Sequence, residues 1–293
     1  MSDAGQRSRQ QRAAARRRDE FPPPPEPLAV PVLDSHTHLD ITLDAGEEVA
    51  NPAVDRAIAA AAAVGVTRLV QVGVDVASSR WGTALAERRQ AVVATVALHP
   101  NEAPRVGDLD EALRVIEGLA TADRVRGIGE TGLDRFRTGD DGRAAQEESF
   151  RAHIAIAKRT GKPLVIHDRD AHSDVLRVLD SEGAPDVVVM HCFSGDGEFA
   201  AQCLRRGFLL SFAGTVTFKN AEPLREAARL APLDAILVET DAPYLTPTPY
   251  RGRPNASYLI PLTVRSLAET KGVDVDELSA AISATGERVF GPW

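Results

Sequence analysis

The chain has 293 residues, of which 43% are hydrophobic, and a net charge of −8 at neutral pH. This length and apolar content suit one enzyme-sized domain with a large core. Two cysteines are too few for a disulfide framework and fit a reducing cytoplasm. No apolar run reaches the ~18 residues that a transmembrane helix needs, so no membrane association is expected.

The first 30 residues differ in composition from the rest of the chain. Six arginines and three acidic residues precede Phe21, and a proline run follows it. Low apolar content and polyproline predict a disordered, partly extended arm over residues 1–30 and a folded domain over residues 31–293. The arginines of such an arm could contact nucleic acid. A solubilising tail is the favoured interpretation.

The stretch PVLDSHTHLD opens the folded domain with a short apolar run that ends in two histidines. Side chains at positions i and i+2 of a β-strand point to the same face, so His36 and His38 could bind one ligand together. Taken alone, a metal site and a chance pair in a turn explain this stretch equally well.

Eight apolar, β-rich runs follow one another along the chain, with helix-like stretches between them. The runs cover residues 31–35, 67–74, 91–98, 125–129, 163–166, 186–190, 207–212 and 235–239. They are nearly continuous in apolar residues, as parallel strands that are buried on both faces are. The alternation predicts an α/β fold, either a (β/α)8 TIM-type barrel or an open doubly wound sheet.

Ionisable side chains at the ends of six of these runs favour the barrel. They are His36, His38, His99, Glu130, His167, His191 and Asp241. Barrel enzymes assemble their active sites from the carboxyl ends of several strands. An open sheet would gather its ligands near one topological switch point instead.

The residue types in this ring indicate metal chemistry. Imidazoles mixed with carboxylates suit Zn²⁺, Mn²⁺ or Mg²⁺ better than they suit soft metals. The number of candidate ligands exceeds what a single catalytic zinc uses. It would fit two ions that share one carboxylate, an arrangement that recurs in phosphodiester cleavage by a metal-activated water.

Seven motifs in order make the chain resemble the TatD family of metal-dependent deoxyribonucleases, within the amidohydrolase-like barrels. They are DSHTHLD (34–40), LHP (98–100), GETGLD (129–134), IHDRDA (166–171), HCFSG (191–195), ETDAPYL (239–245) and RGRPN (251–255). Each motif alone is weak, but the ordered set is specific and covers roughly residues 31–290.

The resemblance implies a role for each matching residue. It implies that His36, His38 and Asp241 bind one divalent ion, that His167 and His191 bind a second, and that Glu130 bridges them. Asp241 and Glu130 are then the catalytic residues. It also implies that His99 contacts the substrate phosphate. Apart from the resemblance, Arg251 and Arg253 are candidate substrate-binding residues because they are basic and lie just beyond the Asp241 loop. One departure is Ala256-Ser257, where the family often has Glu-Pro.

The sequence therefore predicts a cytoplasmic nuclease that acts on single-stranded DNA or DNA ends with two divalent ions and no obligate protein partner. The same ligands would also activate water against a carbonyl, so a hydrolase of another ester or amide is the main alternative. A non-catalytic nucleic-acid adaptor is a weaker one, because an adaptor needs no open metal site.

Overall fold

The computed structural model describes residues 20–46 and 48–293 and contains one sheet of eight parallel strands. The strands are β1 Val32–Thr37, β2 Val66–Val72, β3 Val92–Val96, β4 Val125–Asp134, β5 Leu164–Arg169, β6 Val188–Met190, β7 Leu209–Phe212 and β8 Ile236–Val238. Each strand pairs with the next in chain order, and helices lie between them. The predicted (β/α)8 barrel is confirmed.

The helices of the described residues lie in the stretches between the apolar runs and after the last of them. They are α1 Leu39–Thr42, α2 Pro52–Ala62, α3 Val76–Arg88, α4 Leu109–Leu119, α5 Arg143–Thr160, α6 His172–Glu182, α7 Gly197–Arg205, α8 Glu222–Leu230, α9 Ile260–Lys271 and α10 Val275–Phe290. Within the described residues, no helix combines the length and apolar character that crossing a bilayer requires.

Three strands extend further than the apolar runs indicated. β1, β4 and β5 continue through Thr37, Asp134 and Arg169, so that His36, Glu130 and His167 lie within strands rather than after them. Backbone hydrogen bonds hold a strand together whatever its side chains are. In these three strands the run of apolar side chains stops before the backbone hydrogen bonds between neighbouring strands do.

The barrel closes between β1 and the segment that follows β8. The backbone N–H of Asp241 donates to the His36 carbonyl, and that of His38 donates to the Ala242 carbonyl, each at 2.9 Å. Below them, the buried Asp34 carboxylate accepts the backbone N–H of Thr240 at 2.9 Å and its hydroxyl at 2.6 Å. Burial raises the pKa of Asp34 to about 7. This seam joins the first strand to the last.

Residues 20–28, here called the strap, lie along the outside of the barrel. Arg253, in the loop after β8, donates to the carbonyl of Glu20 at 2.9 Å. Leu28 is buried, and its N–H donates to the Val64 carbonyl, just before β2, at 3.0 Å. The strap therefore runs from the carboxyl end of the strands to their amino end. Here the structure differs from the predicted arm; residues 1–19 of that arm lie outside the described residues.

Carbonyl groups explain why this proline-rich segment can pack against the barrel. Proline has no N–H to satisfy, but its carbonyl still accepts hydrogen bonds. The Tyr258 hydroxyl donates to the Pro22 carbonyl, and Arg265 donates to that of Pro27 at 3.1 Å. Composition predicted disorder because it does not show which distant donors these carbonyls meet.

Deletion of residues 1–28 is expected to lower the melting temperature relative to deletion of residues 1–19. The longer deletion removes the burial of Leu28, worth roughly 1.5–3 kcal/mol, and several hydrogen bonds of about 1 kcal/mol each. For a domain of this size, each kcal/mol shifts the melting temperature by roughly 2–4 °C. Thermal melting followed by circular dichroism measures the difference, and equal melting temperatures would contradict the packing of the strap.

Candidate metal centre

The two carboxylate oxygens of Glu130 face two different sets of histidines. Glu130 Oε1 lies 3.5 Å from His36 Nε2 and 3.6 Å from His38 Nε2. Glu130 Oε2 lies 3.1 Å from both His167 Nδ1 and His191 Nε2. Four strands thus bring together the Glu130 carboxylate and four of the predicted histidine ligands.

Asp241 joins the first of these sets. Its Oδ1 lies 3.5 Å from His38 Nε2 and 3.9 Å from His36 Nε2. The residue has a φ of 53°, in the left-handed region that few residues other than glycine adopt. Such backbone strain concentrates at functional sites. The seam hydrogen bond from Asp241 N–H to the His36 carbonyl fixes this conformation beside β1.

Two glycines in the GETG stretch allow β4 to approach β5 closely. Gly129 and Gly132 have φ values of 152° and 141°. A Cβ atom on Gly132 would overlap the His167 carbonyl oxygen, and one on Gly129 would overlap that of Val165. Glycine is therefore required on both sides of Glu130, so that its carboxylate can reach the histidine of the next strand.

Hydrogen bonds to the far nitrogen of two histidines determine which nitrogen is free to bind a metal. His191 Nδ1 lies 2.9 Å from Glu239 Oε1, and His38 Nδ1 lies 3.3 Å from the Val72 carbonyl. Both partners only accept hydrogen bonds, so each Nδ1 carries the proton. The Nε2 lone pairs then face Glu130, as in metal sites where a carboxylate or carbonyl orients the ligand histidine.

His167 uses the opposite nitrogen. Its Nε2 lies 3.3 Å from Asp134 Oδ2, which leaves Nδ1 directed at Glu130. Asp134 is buried and also accepts hydrogen bonds from the Asn101 side chain and the backbone N–H of Arg137. Burial raises the pKa of Asp134, but these hydrogen bonds and the one with His167 outweigh it, and the pKa lies below its ordinary value.

His99 differs from these three histidines, because its far nitrogen accepts a hydrogen bond instead of donating one. Its Nδ1 accepts the backbone N–H of Asn101 at 3.0 Å. Burial lowers the pKa of His99 to about 4, so the ring is neutral near pH 7 and its proton lies on Nε2. That nitrogen is 3.7 Å from Glu130 Oε2. Distance alone would admit His99 as a ligand, but a protonated Nε2 offers a hydrogen bond rather than a lone pair.

His36 supplies the test of whether these residues fit a metal. Its ring is fully buried and stacks on the His191 ring with centroids 3.7 Å apart. Neither ring nitrogen has a hydrogen-bond partner among the described residues. A buried polar atom without a partner is costly. Its Nε2 faces the carboxylates of Glu130 and Asp241, so a cation between them would satisfy it.

Protonation in the site shows how strongly its carboxylates attract positive charge. Burial alone lowers the pKa of His191, but Glu239 and Glu130 outweigh it and the pKa lies well above its ordinary value. His38 and His167 also have raised pKa values, because neighbouring carboxylates again outweigh burial. Burial raises the pKa of Glu130, yet the surrounding histidines hold it well below its ordinary value. A bound cation would displace the protons of these histidines.

Two residues of the site were not singled out from the sequence. Glu239, at the end of β8, is buried and binds His191, the backbone N–H of Cys192 and the Ser211 hydroxyl. Asp134 orients His167. Glu239 stands two positions before Asp241, the same spacing that drew attention to His36 and His38, and both residues lie inside quoted motifs.

The predicted substrate arginines do not lie in the cluster around Glu130. The guanidinium of Arg253 donates to the Glu20 and Phe21 carbonyls of the strap. That of Arg251 stacks on the Phe218 ring at 4.3 Å. Arg253 thus uses two of its N–H groups to anchor the strap, and substrate contact by Arg251 and Arg253 stays a prediction.

The departure at Ala256-Ser257 also has a structural consequence. Ser257 is buried, and its hydroxyl lies 3.5 Å from that of Thr37. The serine therefore contributes to the seam beneath the metal centre.

Comparison with known proteins gives one consistent result. Residues 33–291 match a family model described as TatD related DNase. An uncharacterized metal-dependent hydrolase TatD from Mycobacterium tuberculosis is 46% identical over 264 residues, which cover 89% of this chain and 98% of that protein. A protein named 3'-5' ssDNA/RNA exonuclease TatD, from Citrobacter rodentium, is 34% identical over 245 residues, covering 81% and 91%.

The fold comparison agrees. The crystal structure of YjjV, a TatD homolog from Escherichia coli K12, superposes with a TM-score of 0.82 at 26% identity. The match covers 89% of this chain and 98% of that one.

Proposed function

Because the chain belongs to the TatD family of metal-dependent hydrolases, we propose that it hydrolyses phosphodiester bonds of DNA. The observation that carries the proposal is the position of Glu130, whose two oxygens face separate histidine sets. One carboxylate between two ligand sets suits a pair of ions, and paired ions recur in phosphodiester hydrolysis. The name of the Citrobacter relative favours attack at the ends of single strands. We also propose a cytoplasmic location, which the two free cysteines favour because the cytoplasm keeps thiols reduced.

We assign the ligands by the direction of their free lone pairs. His36, His38 and Asp241 would hold one ion, His167 and His191 the other, and Glu130 both. Imidazole and carboxylate donors admit Mg²⁺, Mn²⁺ or Zn²⁺. When bound, such ions activate water and stabilise charge on the phosphoryl group.

The residues of the chain itself account for proton transfer and substrate positioning. Burial raises the pKa of Asp241, but its histidine neighbours outweigh burial and keep the carboxylate ionised. It can accept the proton of the attacking water as that oxygen bonds to phosphorus and the bond to the leaving oxygen breaks. Neutral His99 can donate its Nε2–H to a phosphate oxygen.

Turnover on labelled oligonucleotides tests the proposal. The purified chain is reconstituted with Mn²⁺, Mg²⁺ or Zn²⁺ and incubated with 5′- and 3′-labelled single-stranded DNA, duplex DNA and RNA. We expect metal-dependent shortening of single-stranded DNA that EDTA abolishes. Metal-dependent turnover of a carboxylic ester or amide with intact DNA would instead support the alternative hydrolase, and binding of DNA without any turnover would support the adaptor.

His99→Ala is expected to lower kcat/KM by about 10- to 150-fold, because a hydrogen bond to a charged group is worth about 1.5–3 kcal/mol. Metal content should stay at the wild-type value, since the lone pairs of the other histidines are untouched. Elemental analysis alongside turnover measures both quantities.

His172→Ala is the matched control for this variant. His172 stands at the same end of the barrel, but its Nδ1 binds Asp168 at 2.8 Å and its ring stacks on Phe199. This control should keep wild-type kcat/KM. Loss of metal from His99→Ala would show that His99 is a ligand, contrary to the assignment made here.

A further inference from the structure

Exposed large apolar side chains are concentrated at the carboxyl end of the barrel. In residues 20–46 and 48–293 there are five such side chains: Phe21, Ile41, Phe136, Leu230 and Tyr244. Ile41, Phe136 and Tyr244 lie after β1, β4 and β8, and Phe21 is held on the loop after β8 by Arg253. Leu230 ends α8, at the opposite end of the barrel. Scattered apolar residues need no explanation, but a cluster at one site indicates binding.

Two of these residues are connected to the two histidine sets of the metal centre. Phe136 is 64% exposed, and its N–H donates to Asp134, the residue that holds His167. Tyr244 is 52% exposed, and its ring centroid lies 6.5 Å from that of His38. Since His167 and His38 face different oxygens of Glu130, the backbone of Phe136 is tied to one histidine set through Asp134, and the ring of Tyr244 lies near the other.

Positive charge accompanies the rings. The guanidinium of Arg169 lies 4.2 Å from the centroid of Phe136. Arg137 adds a second guanidinium directly after Phe136 in the sequence. Flat apolar rings beside guanidinium groups complement a ligand that is itself flat and apolar in some parts and anionic in others.

We propose that Phe136 and Tyr244 stack on unpaired nucleobases of the substrate strand, one on each side of the phosphodiester bond that is cleaved, with Arg169 beside the strand's phosphates. The inference rests on the proposed function and names two residues that would bind its single-stranded substrate. Bases of a duplex are stacked on one another and offer no free face to these rings. Base stacking on aromatic side chains is tolerant of sequence and is typical of proteins that bind single strands.

Stacking also addresses an electrostatic difficulty. The chain carries a net charge of −8, which disfavours binding of a polyanion by overall charge. Affinity that comes from base faces does not depend on that charge.

Binding to oligonucleotides with and without bases tests the proposal. The metal-loaded protein is titrated into two fluorescent probes of equal length with cleavage-resistant phosphorothioate links, oligothymidylate and its abasic counterpart. Phe136→Ala and Tyr244→Ala should each weaken oligothymidylate binding by about 5- to 150-fold, the equivalent of about 1–3 kcal/mol per stacked base. Binding of the abasic probe should not change.

Three variants serve as controls. Phe136→Trp and Tyr244→Phe keep an aromatic face and should bind oligothymidylate as the wild type does, whereas Leu230→Ala removes an exposed apolar side chain far from the site and should have no effect. If Phe136→Ala or Tyr244→Ala weakened binding of the abasic probe as much as binding of oligothymidylate, the rings would only support the structure of the site. That result would overturn the proposal.

The outcomes also separate this proposal from the function on which it rests. If the wild type cleaves single-stranded DNA and both alanine variants bind oligothymidylate normally, only the base-stacking proposal is overturned. A wild-type protein that neither binds nor cleaves DNA overturns both.

Discussion

Asp241→Asn is expected to reduce kcat by at least ~10²–10⁴-fold, the contribution typical of general-base catalysis. Asparagine keeps the size of the side chain and one oxygen but loses the charge and the basicity. The affected oxygen lies 3.5 Å from His38 Nε2, so the ion held by His36 and His38 should also bind more weakly. Asparagine tolerates the left-handed backbone as aspartate does, and the fold should be retained.

Asp170→Asn is the matched control for Asp241→Asn. Asp170 also has a left-handed backbone, with a φ of 55°, and follows β5 at the same end of the barrel. It should keep wild-type turnover and metal content. If Asp241→Asn retained full activity and full metal content, Asp241 would be neither ligand nor base.

Glu130→Gln should cause a loss of turnover at least as large as that of Asp241→Asn and should differ from it in metal stoichiometry. An amide offers one neutral oxygen where the carboxylate presents two charged ones to two histidine sets. Both ions should therefore bind weakly, whereas Asp241→Asn should spare the one held by His167 and His191.

Thermal melting with added Mn²⁺ provides a measurement for Glu130→Gln that does not depend on catalysis. A ligand at 100 times its dissociation constant stabilises the folded state by about 2.7 kcal/mol. The wild type should show this rise in melting temperature and Glu130→Gln should not. Full occupancy of both ions in Glu130→Gln would contradict the bridging position.

The fold and the membership of the site could be predicted because both depend on local order in the chain. An apolar run that stops at a histidine or an acid marks the carboxyl-terminal part of a strand or the residues directly after it, and parallel strands place their carboxyl ends on one face. His36, Glu130, His167, His191 and Asp241 therefore had to meet once the barrel was inferred.

Partners that come from distant segments could not be predicted in the same way. Which nitrogen of His99 carries the proton depends on the backbone N–H of Asn101, and the orientation of His191 depends on Glu239. Packing of the strap depends on Arg253 and Tyr258. Contacts of this kind leave no repeating pattern in the order of residues, so the sequence does not reveal them.

The seam of the barrel sets an order in which the two halves of the metal centre can form. Glu130, His167 and His191 come from β4 to β6 or directly follow them, so their half needs only neighbouring strands. The other half needs contacts across the seam, where Asp34 and Thr240 are 206 positions apart. Contacts of such long separation form slowly, because a long loop must close first. We expect a chain that is still being synthesised to assemble the His167 half before β8 emerges, and to complete the His36 half only when the barrel closes.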